Sequence, residues 1–130
     1  MTPLAAACVF IGGGLGACLR WGVSLLLNPI SPLIPLGTLA VNLIGGYLIG
    51  VAAAFFAFRA GLPPELKLFT ITGVLGGFTT FSAFSNEVVS LVGQGRPGWA
   101  TLTAAAHLFG SLLLTLLGIL TVRHFFQPMP

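Results

Sequence analysis

The sequence predicts an all-α membrane protein of four transmembrane helices, the third broken mid-membrane. Three observations predict it. Charge is scarce: 5% of residues are charged and 56% are hydrophobic, whereas a soluble domain carries about 25% charged residues. The mean hydropathy of +1.06 is gathered into four segments, roughly 4–27, 33–58, 66–92 and 99–126, each long enough for a bilayer that takes about 20 residues to cross. The third segment places Gly73-Val74-Leu75-Gly76-Gly77-Phe78-Thr79-Thr80-Phe81-Ser82-Ala83-Phe84-Ser85-Asn86 where uninterrupted hydrocarbon would serve. The 130 residues form one domain, 1–130, with no internal repeat or linker.

The first segment, from Leu4 to Leu27, is rich in small residues. Gly12 and Gly16, like Gly13 and Ala17, are four apart, the spacing that lets helix backbones approach. The run Gly12-Gly13-Gly14-Leu15-Gly16 superficially resembles a phosphate-binding turn, but no strand precedes it. Cys8 and Cys18 are separated by about 15 Å of helical rise, beyond disulfide reach; they read as packing residues. No basic stretch precedes the apolar run, so the first helix is expected to stay in the mature protein. Arg20 is the basic residue well inside a span. Snorkelling, anion attraction to a vestibule and a tie to a helix cap are all open to it.

Asn28-Pro29 and Ser31-Pro32 mark a turn into the second segment. There Thr38 and Asn42 share a helix face, continued near Gly45 and Gly46, and Gly46 and Gly50 form another small pair. Asn42 carries two amide donors and a carbonyl acceptor. It serves either as glue between helices or as the lining of a polar path.

Arg59, Gly61, Pro63-Pro64, Glu65 and Lys67 form the most polar connection. In the third segment Gly76-Gly77 should weaken the helix, with Thr79 and Thr80 as candidate caps for its restart. A break leaves carbonyls free on one side and amides on the other. Such backbone survives at membrane depth only when buried in protein or lining a cavity. Phe81 and Phe84 are three apart and share a face; phenyl edges carry positive charge density and can meet an anion. Glu87, towards the end of this segment, is the acidic residue within a span. It reads as an interfacial carboxylate, a proton relay or a partner for Arg20.

Gly93 through Gly98 form the last loop. The fourth segment then carries His107, Ser111 and Thr115 at a spacing of four, one polar stripe. Each hydroxyl can also bond back to its own helix.

Four spans put both termini on one side. Arg59, Lys67 and Arg123 fall on that side, Arg20 and Arg96 on the other. So even a division of positive charge sets orientation weakly and leaves insertion both ways up, and hence an antiparallel dimer, open. Four short helices also enclose a pore poorly on their own, so oligomerisation is expected. With five basic residues spread along the chain, no cluster offers the phosphate contacts that nucleic-acid binding needs. No nucleophile, base and orienting group can be assembled into an enzyme site.

In these residues the chain resembles the Fluc (CrcB) family of fluoride channels. The matching pieces are Gly13-Gly14-Leu15-Gly16-Ala17 with Arg20-Trp21, Gly37-Thr38-Leu39-Ala40-Val41-Asn42 with Gly45, Gly73 through Glu87, and Gly110-Ser111, in order across all four helices. The resemblance implies an antiparallel, dual-topology homodimer in the bacterial plasma (inner) membrane. It implies two fluoride pores and a structural sodium ion held by the carbonyls of Gly76 and Thr79. It implies a pore lined by Asn42, Phe81, Phe84, Ser111 and Thr115, with Thr38 and Ser82 as further candidates. Arg20 matches the family's first-helix arginine, its role open between vestibule and architecture; Glu87 belongs to the same group. Ala83 departs from the family's usual threonine, and His107 stands where a small polar residue is expected, placing a titratable group beside the path.

Two other readings compete. A small dual-topology multidrug or cation transporter would want an acid in the first helix, where this chain has Arg20. In a non-transporting membrane assembly subunit the glycines and polar stripes would serve packing alone.

Overall fold

The computed structural model describes residues 2–126, and these are helical nearly throughout. Helix α1 spans Pro3–Leu27 and α2 spans Leu36–Phe58. Helix α3 is composite: Pro64–Lys67 is α-helical, Leu68–Leu75 widens to a π-helix, and Gly76–Phe78 closes it. Helices α4, Phe81–Gly93, and α5, Pro97–Phe126, complete the chain. Counting α3 and α4 as one crossing, four segments are long and apolar enough to span a membrane. Proline opens α1, α3 and α5, where a missing amide hydrogen costs nothing.

The turn into α2 is built by side chains. Asn28 to Ile30 form a single 3-10 turn, and Ser31 Oγ accepts from the amides of Leu33 and Ile34. Pro35, which precedes α2, offers no capping side chain. Asn28 Oδ1 supplies the cap from across the turn, accepting from Gly37 N at 2.8 Å. Helix α2 therefore starts at Leu36, not at Leu33.

Two pairings organise the packing: α1 lies along α3, and α2 along α5, with α4 resting on α5. Both depend on backbone meeting backbone. A Cβ on Gly12 would stand 2.6 Å from Phe69 O, and one on Gly77 would run into Gly13 O. On the other pair, a Cβ on Gly46 would stand 3.0 Å from Ser111 O, and on Gly50 it would overlap Thr115 O. The small pairs of the sequence thus mark the two crossings.

This packing also moves the expected interruption. Gly76 and Gly77 stay helical; the backbone becomes extended at Thr79 (φ −86°, ψ 161°) and Thr80 (φ −153°, ψ 116°). Gly77 spends its missing side chain on contact with α1, where a Cβ would meet Gly13 O and Ala17 N, and not on unwinding.

The core is thin. Val41 and Thr103 are fully enclosed, while Phe10, Trp21, Leu26, Phe109 and many other large apolar side chains lie on the outside. Such a surface is stable against lipid or a partner and costly in water.

Candidate functional site

The site begins with Asn42 and the extended pair. Asn42 Oδ1 accepts from Thr80 N at 2.8 Å, and its Nδ2 donates to Thr80 O at 2.9 Å. One side-chain amide thereby replaces the helical partners that Thr80 lacks. Thr80 in turn caps α4, its Oγ1 accepting from Ala83 N at 3.2 Å. Thr79 is not a cap: its hydroxyl donates back to Leu75 O, and its methyl group fills the space left by Gly45.

The amides four residues beyond Gly76 and Thr79 are both drawn away from the helix ladder, Thr80 N to Asn42 and Ala83 N to Thr80 Oγ1. The carbonyls of Gly76 and Thr79 are released at one short stretch, with Gly76 exposed on the outside of the chain.

Beside this stretch lies a cleft of about 660 Å³ between α2, α3, α4 and α5. Asn42, Phe81, Phe84, Ser111 and Thr115 line it together with Gly76, Thr79 and His107. The rings of Phe81 and Phe84 meet edge to face, 5.4 Å apart. Phe81 is 79% exposed in the single chain. The hydroxyls of Ser111 and Thr115 do not bond back to their own helix, as Thr101 and Thr121 do. They cross to α2: Thr115 donates to Gly46 O at 2.9 Å, and Ser111 reaches Asn42 O at 3.5 Å.

Thr38 and Ser82 lie outside the cleft lining. Ser82 is exposed, its hydroxyl 3.3 Å from that of Thr80. Thr38, 4% exposed, donates to Glu87 Oε1 at 2.5 Å. Glu87 does not pair with Arg20; its Oε2 is buried without a partner. Arg20 is half-buried on α1.

Two layers follow. One joins Asn42, Phe84 and His107: His107 Nδ1 lies 3.1 Å from Asn42 Nδ2, and the Phe84 ring stacks on the imidazole at 4.6 Å. One turn along each helix, Thr38, Glu87 and Thr103 occupy the next level. Sequence reasoning singled out His107 without a partner, named Thr80 as a candidate cap, which it is, and passed over Thr103. Thr103 extends the stripe of His107, Ser111 and Thr115 by one more step of four, which was the available signal. The pairing of Thr80 with Asn42 gave no signal, because the two are remote in sequence.

Residues 7–119 match the family model described as "CrcB-like protein, Camphor Resistance (CrcB)". The chain belongs to the CrcB family. It is 58% identical over 120 residues to a protein of Burkholderia pseudomallei strain 668 named "Fluoride-specific ion channel FluC", covering 92% of this chain and 94% of the relative. A Burkholderia lata protein of the same name is 60% identical over 115 residues, 88% of this chain and 90% of its own. One from Burkholderia ambifaria is 58% identical over 118 residues, with 91% and 92% covered. With four apolar spans and this membership, the protein is a multi-pass integral membrane protein of a channel family and not an enzyme.

Proposed function

We propose that this chain is a fluoride-selective passive ion channel that exports fluoride and lowers its cytoplasmic concentration. It works in the bacterial inner membrane as an antiparallel, dual-topology homodimer with two pores. The observation that carries the reading is the convergence of Asn42, Phe81, Phe84, Ser111 and Thr115 on one cleft, in a chain whose relatives are named for fluoride.

The chemistry fits a small, strongly hydrated anion. Stripping its water requires close replacement donors, and rapid passage requires that none of them hold it. Neutral polar groups with phenyl edges meet both needs, since none carries a full positive charge. No group in the cleft is arranged for energy coupling.

The dimer is supported by what the single chain leaves uncovered. Gly76, Phe81, Ser82 and Asn86 are exposed on segments that cross the membrane. Exposed backbone and polar groups in hydrocarbon are costly, and a second copy would cover them while closing the cleft beside Phe81. The extended pair Thr79–Thr80 then becomes a helix break at membrane depth. The released carbonyls of Gly76 and Thr79 suit a structural sodium ion: hard oxygen donors, two from each copy. When bound, that ion supplies a positive charge that ties the two interrupted helices together.

Purified dimer in liposomes tests the reading with a fluoride electrode. Rapid fluoride efflux without chloride efflux is expected. Folded dimers that pass no fluoride would overturn it.

A further inference from the structure

Asn42 has no amide hydrogen to spare. Thr80 N can only donate, so the atom facing it is Asn42 Oδ1. The other end of the amide, Nδ2, gives one hydrogen to Thr80 O and turns the second to His107 Nδ1. Because Nδ2 only donates, His107 Nδ1 accepts, and the imidazole proton sits on Nε2. Nε2 is buried without a hydrogen-bond partner in a side chain only 4% exposed. Native structures keep few buried donors unmade.

Three nearby hydroxyls are engaged elsewhere. Thr115 is committed to Gly46 O, Ser111 is turned to Asn42 O, and Thr38 is committed to Glu87. Glu87 takes that hydrogen on Oε1, and its Oε2 is buried without a partner. One turn from His107, Thr103 Oγ1 is a second buried hydroxyl without a partner.

We propose that His107 Nε2–H is a direct donor to the permeating anion, with Asn42 fixing the tautomer through Nδ1. The role rests on the fluoride-channel reading and sharpens it. Asn42 then acts partly through the imidazole, and the stack on Phe84 holds the ring's plane. A neutral imidazole donates without the full charge that would trap the ion.

Two substitutions separate the ring nitrogens. His107→Gln sets an amide N–H near the place of Nε2 and gives up the Nδ1 acceptor. His107→Asn keeps an acceptor near Nδ1 and has no donor at Nε2. With both variants dimeric, His107→Gln is expected to retain most of the fluoride efflux. His107→Asn is expected to lose about tenfold, the worth of one good hydrogen bond at the barrier. In the wild-type dimer, the ¹⁵N signal of His107 Nε2 should shift on fluoride titration. Wild-type flux in His107→Asn would overturn the donor role and make His107 a positioning residue for Asn42; equal loss in both variants, or an Nε2 signal indifferent to fluoride, also overturns it. A wild-type dimer without flux overturns the channel reading itself.

Discussion

Asn42 and Thr80, on different crossings of the bundle, are joined by two hydrogen bonds, between the side-chain amide of Asn42 and the backbone N–H and C=O of Thr80. This pairing holds the chain extended where α3 ends and α4 begins. It also fixes which end of Asn42 faces His107, so one residue sets both a backbone conformation and an imidazole tautomer.

Asn42→Asp removes both donors and sets a carboxylate oxygen against Thr80 O. Each buried partner left unmade costs about 1–3 kcal/mol. Fluoride efflux should fall at least about tenfold, with a lowered melting temperature of the dimer. Near-normal flux would show that Asn42 is not needed in the path.

Thr80→Ala removes the cap from α4 and leaves Ala83 N without its acceptor. The expected loss is about 1 kcal/mol of stability. Thr80→Ser should restore it, because the hydroxyl alone makes the bond. Chemical or thermal unfolding of the two variants side by side is the measurement.

Phe81→Ile replaces a ring edge with an aliphatic surface. Phe81 is largely exposed within its own chain, so little packing in the monomer is lost. The dimer should survive by size-exclusion chromatography while fluoride efflux collapses. Normal efflux from this variant would remove Phe81 from the pore.

Gly77→Ala and Gly13→Ala give opposite outcomes at one crossing. The first drives a methyl group into Gly13 O, whereas a Cβ on Gly13 itself meets nothing within 4 Å. Overpacking of this kind costs about 1–3 kcal/mol. Gly77→Ala should therefore lower the yield of folded protein, and Gly13→Ala should leave it unchanged.

Exchanging sodium for N-methylglucamine should lower the melting temperature of the dimer. A ligand at a hundred times its dissociation constant contributes about 2.7 kcal/mol to the state that binds it. Thr79→Ser should keep the sodium effect, since the carbonyl and not the side chain is the donor. A melting temperature indifferent to sodium would dismiss the ion.

Much of this was legible from residue order. The four spans follow from hydropathy, and the two backbone crossings follow from glycines four apart. The set Asn42, Phe81, Phe84, Ser111 and Thr115 followed from the family pattern, whereas helix faces alone grouped only Phe81 with Phe84 and Ser111 with Thr115. The place of the extended pair was legible only in part, through Thr80 as a candidate cap. Local propensity marks Gly76-Gly77 as the weak point, yet both stay helical and Gly77 is packed against α1. The interruption falls at Thr79–Thr80, where Asn42 offers a substitute for the helical hydrogen bonds.

Ala83 makes the same point from the other side. By residue type it is a lost hydroxyl, but the structure uses its amide, which any residue but proline supplies. Sequence alone determined what depends on single residues and short spacings: membrane residence, helix count, the glycine crossings and the stripe of His107, Ser111 and Thr115. Tertiary structure decided what depends on partners far apart in the chain: where the helix gives way, which carbonyls are released, and which nitrogen of His107 carries the proton. Hydropathy and helical period are properties of a segment, whereas a hydrogen bond belongs to two groups that only folding brings together.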